Sequence, residues 1–317
     1  MRKALIFGIS GQDGSLLAHY LLKLGYEVEG TSRDALGLLQ TNLEKLGINQ
    51  DVKISSAILS DFRSVLQVIS KSCPDEIYNL AGQTSVGLSF EQPVEAFESI
   101  TIGTINILEA IRYINPNIKF FNAGSSECFG DVGDIPADET SPFNPLSPYA
   151  SAKAAAFWQV STYRNAYNLK CSTGILSNHE SILRPKRFVT QKIVKTAKEI
   201  KSGTCRELRL GNIDINRDWG WSNDYVEAMH LSLQQENFSD YIIATGITSS
   251  LLDFIRITFE TLNLNYQDYL RHDSSFDRPS DLKTSRLSPD KINSELSWKA
   301  KHDLRAIIYK MIHNIYD

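Results

Sequence analysis

The sequence predicts an α/β protein: a doubly wound parallel sheet with a smaller, mostly C-terminal α/β lobe. Three observations predict it. Short apolar runs alternate with stretches of helical apolar spacing as far as about residue 180. A glycine turn, Gly8-Ile-Ser-Gly11-Gln12-Asp13-Gly14, joins the first apolar run to the first helical stretch. Beyond residue 180 the alternation loosens, with one further strand-like run at 241–245. The domains follow: 1–180 for dinucleotide binding, also receiving the strand near 241–245, and 181–317 as a discontinuous substrate lobe.

Bulk properties bound the function. The 317 residues are 42% hydrophobic and 22% charged with a net charge of −4, as in a soluble globular protein. That balance argues against a nucleic-acid surface, and no apolar run approaches the roughly 18 residues of a membrane-spanning helix. Cys73, Cys128, Cys171 and Cys205 are scattered with no CxxC pair, so reduced thiols in a cytoplasmic protein are expected, with no metal.

Taken in order, residues 3–7 (KALIF) read as a buried strand rather than a signal segment. Gly8 allows the tight turn, Gly11 lets a pyrophosphate approach, and Gly14 permits close helix–strand packing, with the helix start facing the phosphates. The sheet is therefore Rossmann-like. A second strand, 26–31, ends in Ser32-Arg33-Asp34; Ser32 stands where an acidic residue would select NAD, and Arg33 suits the 2′-phosphate of NADP. Residues 51–57 and 75–81 are further strands, with Asp61 capping a helix between them. The exit Gly82-Gln83-Thr84-Ser85 is small and polar, as expected beside a nicotinamide ribose. A long helix over 95–114 leads to a strand over 117–123, then come a helix over 147–168 and a strand over 170–176. In the second lobe, 188–201 reads as a basic helix with Lys192, Lys195, Lys198 and Lys201 on or near one side. Residues 208–211 form a short strand, 217–220 (RDWG) a compact loop, and 225–234, 249–262, 289–296 and 302–315 helices.

The chemistry concentrates between Asn122 and Lys153. Ser125, Ser126 and Glu127 leave the end of a strand, and Tyr149 and Lys153 are four apart on one helix face. Beside a dinucleotide this set points to hydride transfer at a carbinol carbon. Tyr149 takes the hydroxyl proton, Lys153 is expected to draw its pKa down towards working pH, and Ser125 holds the reacting oxygen. A plain dehydrogenase needs no carboxylate here. Glu127 can remove the proton beside a new ketone and so drive elimination of water; the alternative is an acceptor for nearby backbone amides. Lys192, Arg217 and Arg278 form a candidate diphosphate handle. His179 is the one histidine of interest, at a strand exit.

With these motifs in view, the chain resembles the extended short-chain dehydrogenase/reductase family, specifically its GDP-mannose 4,6-dehydratase branch. The matching stretches include GISGQDGS (8–15), EIYNLAGQTSVGLSFEQP (76–93), SSECFG (125–130), TSPFNPLSPYASAK (140–153), NHES (178–181), FVTQKI (188–193), LGNIDINRDWG (210–220) and RPSDL (278–282). The resemblance implies catalytic roles for Ser125, Glu127, Tyr149 and Lys153. It implies NADP held by Gly8, Gly11, Gln12, Asp13, Gly14, Arg33, Leu80, Ala81, Gln83, Tyr149, Lys153, Leu176 and His179. It implies a GDP-sugar held by Ser85, Asn178, Lys192, Arg217 and Arg278, and a homodimer or homotetramer. Three stretches depart from the family pattern: Arg33-Asp34 in place of two arginines, Ile58 in place of an adenine-contacting Asp, and 181–186 (SILRPK) in place of SPRRGE. The expected activity is 4,6-dehydration of GDP-mannose with internally recycled NADP. A 4-keto reductase or epimerase, a dehydratase for another GDP-sugar such as a heptose, and a non-catalytic cofactor-binding protein are the alternatives.

Overall fold

The computed structural model describes residues 1–35 and 42–316. Its strands in chain order are β1 (Lys3–Phe7), β2 (Glu27–Ser32), β3 (Val52–Ser56), β4 (Glu76–Asn79), β5 (Lys119–Ala123), β6 (Cys171–Leu176), β7 (Asn178–Glu180), β8 (Leu208–Leu210), β9 (Asn216–Trp221), β10 (Tyr241–Ile243), β11 (Thr248–Ser250) and β12 (Leu270–His272). The helices are α1 (Gln12–Lys23), α2 (Asn42–Lys45), α3 (Phe62–Ser72), α4 (Val86–Glu91), α5 (Pro93–Phe97), α6 (Gly103–Ile114), α7 (Pro148–Tyr167), α8 (Val189–Lys201), α9 (Ser222–Ser232), α10 (Leu251–Thr261), α11 (Tyr266–Tyr269), α12 (Asp290–Leu296) and α13 (Leu304–His313).

Among the described residues, seven strands form one parallel sheet in the order β10-β6-β5-β4-β1-β2-β3. Helices cover both faces: α1 and α9 contribute to one apolar cluster, and α3 and α6 to the other. The order reverses between β1 and β4, and ligands of open α/β sheets bind in the crevice at that point. Two glycines shape it. A Cβ on Gly14 would stand 2.2 Å from the Gly8 carbonyl oxygen, so only glycine lets α1 pack on the turn. Gly8 has φ +86° and presses against the Leu80–Ala81 backbone at the β4 exit. Register at the crevice is pinned by amides: Asn79 Nδ2 donates to Asn122 Oδ1 at 3.1 Å and to Thr104 Oγ1 at 3.2 Å.

The helix expected over 95–114 is a rod broken by a π-turn at Glu98–Ile102. The turn serves α7: Thr101 Oγ1 donates to the Ala152 carbonyl at 2.9 Å, and Ile100 packs with Tyr149, Ala152 and Ala156. Helix α7 starts where Ser147 Oγ accepts from the Ala150 amide, has Pro148 in its first turn, and stops at left-handed Asn168.

Three expectations are corrected. Residues 217–220 are not a loop; they lie in β9, which pairs with β7 on one side and β11 on the other. Their composition reads as loop, but both charges are satisfied inside: Arg217 faces Asp281, while Asp218 accepts from the Thr245 and Gly246 amides and from Ser177 Oγ. Nor do the four lysines of α8 share a face. Steps of three residues lag the helix repeat. Lys192 enters the cleft, Lys195 pairs with Glu199, and Lys198 donates to the Ile312 carbonyl. The start of the helix expected over 249–262 is also different, since Thr248–Ser250 pairs as β11 before α10 begins. Helix α9 and the segment carrying Ile292 and Trp298 pack into the same core as β1 and α1. Helices α8, α10 and α13 build a separate apolar cluster beneath β9. No described helix is long and apolar enough to cross a membrane.

Candidate active site

A cleft with about 1750 Å³ of empty space, open solvent included, runs from the β4, β5 and β6 exits to the second lobe. Ser125, Glu127, Tyr149 and Lys153 all line it.

Ser125 follows β5 and caps a short 3-10 turn, its Oγ accepting from the Glu127 amide at 3.3 Å. This turn places Glu127 in the cleft wall. No described donor hydrogen-bonds its carboxylate, so it does not act as an acceptor for backbone amides. Burial raises its pKa above the ordinary carboxylate value, while Arg217 and then Arg278 pull it back. A base strengthened by burial and accessible from the cleft suits removal of a carbon-bound proton.

Tyr149 and Lys153 lie one helical turn apart, with Lys153 Nζ 5.9 Å from the Tyr149 ring centre and donating to the Ala123 carbonyl at 2.7 Å. The expected electrostatics do not appear in this form of the site. Burial raises the Tyr149 pKa well above 10; a hydrogen bond from Ser125 opposes it, and Glu127 adds to it. Lys153 is itself depressed to about 8, by burial. The cation that does pull the phenol down is Arg184, which the sequence did not single out.

The dinucleotide side fits the glycine turn. Helix α1 has Gly11 at its N-cap with no side-chain cap, so its first amides are available to an anion. Asp13, Leu80, Ala81, Leu176 and His179 line the cleft. Gln12 and Gln83 act as braces: Gln12 Nε2 donates to the His179 carbonyl and Gln83 Nε2 to the Ser85 carbonyl. The His179 ring stacks on Tyr225 at 4.7 Å, with Nδ1 on the Ser177 carbonyl and Nε2 2.9 Å from Asp13 Oδ2. Burial works against the imidazolium, but Asp13 outweighs it and the His179 pKa is raised. The Arg33 side chain is 88% exposed just beyond β2, 4.0 Å from Glu95.

On the substrate side, Asp281 holds two arginines, Arg217 at 3.3 Å and Arg278 at 3.4 Å. Lys192 Nζ sits over the Phe276 ring at 3.4 Å, Asn178 lines the cleft, and Ser85 Oγ caps α4 beside it. Sequence reasoning missed Asp281, Phe276, Arg184 and Arg187. Asp281 had a signal in its place three residues after Arg278; Arg184 sits in the stretch that departs from the family pattern, and Arg187 directly follows it.

A reversed-order parallel sheet carrying Ser, Tyr and Lys over a glycine turn defines an extended short-chain dehydrogenase/reductase. Solved structures with this fold include dTDP-glucose 4,6-dehydratase from Bacillus anthracis, with TM-score 0.85 and 21% identity over 99% of this chain and 96% of that one. Another is UDP-glucose 4-epimerase from Thermus thermophilus, complexed with NAD, with TM-score 0.84 and 25% identity over 99% of this chain and 100% of that one. A family model described as GDP-mannose 4,6 dehydratase matches residues 5–311. GDP-mannose 4,6 dehydratase 1 of Arabidopsis thaliana is 39% identical across 98% of this chain and 88% of its own length, and the Homo sapiens enzyme 36% identical across 98% and 90%. The chain belongs to the GDP-mannose 4,6-dehydratase family.

Proposed function

We propose that this protein dehydrates GDP-mannose to GDP-4-keto-6-deoxymannose, with NADP recycled in each turnover. The observation that carries the reading is the Glu127 carboxylate, which no described donor hydrogen-bonds, in one cleft with Ser125, Tyr149 and Lys153. A bound nicotinamide dinucleotide supplies reversible hydride acceptance between C4 and C6 of the sugar. Arg217, Arg278 and Lys192 hold the diphosphate and orient the hexose towards Tyr149. Tyr149 takes the 4-hydroxyl proton as its phenolate, a form that burial disfavours and that Ser125 and Arg184 favour, with Ser125 hydrogen-bonded to the same oxygen. The C4 carbonyl acidifies the C5 proton; Glu127 removes it and delivers it to the 6-hydroxyl, which leaves as water. The proton first held by Tyr149 balances the one returned to C5 as the methyl group forms. Purified protein given GDP-mannose and catalytic NADP is expected to form the keto sugar with no net change in cofactor. Stoichiometric NADPH consumption, or a product that keeps its 6-hydroxyl, would overturn the reading.

The preference for NADP rests on Arg33, exposed and only loosely paired at the end of β2. Arg33→Gln is expected to weaken NADPH binding about tenfold and leave NADH binding within about twofold, as read by fluorescence titration. Equal losses for both would remove the assignment. Self-association belongs to the same reading. Val94, Phe97, Ile102 and Trp158 are exposed apolar residues on the adjoining surfaces of the rod and α7. A dimer or tetramer is expected in sedimentation, with Trp158→Asp shifting it towards monomer; a monomeric parent protein would exclude the surface.

A further inference from the structure

The π-turn at Glu98–Ile102 packs against α7, and its contacts converge on groups that the proposed reaction uses. A π-turn holds one residue more than an α-turn and recurs at functional sites. Here adjacent side chains of the turn meet different partners. Ser99 Oγ accepts from the Gln83 amide at 3.1 Å, on the β4 exit expected beside the nicotinamide ribose. Gly82, at φ +113°, lies close by: a Cβ there would stand 3.1 Å from Ile100 Cγ1 and 3.3 Å from the Ser99 carbonyl oxygen. Thr101 turns to α7 instead, where its Oγ1 donates to the Ala152 carbonyl at 2.9 Å. Ile100 packs with Tyr149 in the same layer.

Thr101 is 8% exposed, so its hydroxyl depends on the Ala152 carbonyl rather than on water. That carbonyl lies within α7, and its second lone pair is open to the Thr101 proton. The next residue is Lys153, whose Nζ donates to the Ala123 carbonyl of β5 at 2.7 Å. Helix α7 is therefore fixed from two sides at 152–153, to β5 by Lys153 and to the π-turn by Thr101. The two anchors are themselves joined. Thr104 Oγ1 donates to the Ile100 carbonyl at 2.7 Å and accepts from Asn79 Nδ2, which also donates to Asn122 Oδ1 beside Ala123. Phenol, ammonium and β4 exit are held in one frame, with residues 99–104 at its centre.

We propose that Thr101 is a positioning residue: its hydroxyl holds the Tyr149–Lys153 face of α7 at the distance from the β4 exit that hydride transfer requires. The inference rests on the hydride-transfer part of the proposed function and is independent of which sugar is bound. Transfer falls steeply with small errors in placement, whereas ligands anchored elsewhere in the cleft bind as before.

The test compares the parent protein with Thr101→Val, which keeps the shape and removes the donor, and Thr101→Ser, which keeps the donor. Thr101→Val is expected to lower kcat by about ten- to a hundredfold, the effect of a displacement of ~1 Å. Transient NADPH formation from GDP-mannose slows with it, while KM and NADPH affinity change less than about twofold. The acid limb of kcat/KM, assigned to Glu127, stays where it is in the parent. Thr101→Ser is expected to recover turnover to within about threefold of the parent. Thr101→Ala carries the same comparisons if the valine variant folds poorly. Parental turnover in Thr101→Val, a serine variant as slow as the valine one, or ligand affinity lost in proportion to kcat overturns the inference. A readout without sugar separates it from the reaction itself. Amide hydrogen exchange across 149–156, with NADPH bound, is expected to quicken in Thr101→Val and stay parental in Thr101→Ser. Unchanged exchange in Thr101→Val overturns the inference. A parent protein that leaves GDP-mannose intact overturns the proposed reaction instead, and the exchange comparison stands.

Discussion

Glu127→Gln is expected to lower GDP-mannose turnover by about 10²–10⁴-fold, the usual reach of a positioned general base, while GDP binding persists. The amide keeps the shape but cannot take the C5 proton. The measurement is solvent deuterium entering C5 alongside product formation; full turnover with normal exchange would remove Glu127 from the mechanism. The acid side of the parent protein's pH profile tests the same group. As a base Glu127 must be ionised, and its pKa is raised by burial, so kcat/KM is expected to fall as pH drops through a value above the ordinary carboxylate range near ~4.3. The sign for stability is opposite. A carboxyl whose folded pKa is raised favours folding only while protonated, so at neutral pH the ionised group opposes it. Glu127→Gln is accordingly expected to raise Tm at neutral pH and to lose that advantage in acid.

Tyr149→Phe is expected to cost about 10²–10⁴-fold in kcat with little change in GDP affinity, because only the proton-accepting oxygen is removed. Its neighbour sets the alkaline side. The Lys153 ammonium is depressed to about 8 by burial, so its charge, and with it activity, is expected to decline as pH rises through that value. Lys153→Met would then leave low activity without that limb. An unchanged alkaline limb in Lys153→Met would assign it to another group.

The main sheet was readable because buried parallel strands announce themselves as short apolar runs, as in KALIF and DEIYNLA, punctuated by glycine and capping residues. The candidate set was readable for a related reason: Ser125 and Glu127 come just after a strand end, and Tyr149 and Lys153 obey helical spacing. Strand β9 was not, since its stability comes from Asp281, Ser177, Thr245 and Gly246, all distant in sequence. Local composition carries no trace of such partners. The π-turn was hidden similarly, because one extra residue in a helix leaves the apolar spacing almost unchanged. Arg184 does not stand out in the sequence, because its place in the cleft wall, against an aromatic face and a buried glutamate, is made by the fold. Lys153's expected pull on Tyr149 does not show: the spacing was right, but burial dominates both groups, raising the phenol and lowering the ammonium.

The two arginines that share Asp281 also moderate the proton affinity that burial gives Glu127, since both lower its pKa. A diphosphate seated on them absorbs that positive field. Occupancy of the handle therefore makes Glu127 a stronger base at the moment a C5 proton is placed before it, and a weaker one when the cleft holds no sugar. Thermodynamic reciprocity requires the converse: the diphosphate binds more tightly to the enzyme with Glu127 protonated. On the proposed function, substrate charge and the basicity of Glu127 form one linked equilibrium, carried by the two arginines that share Asp281.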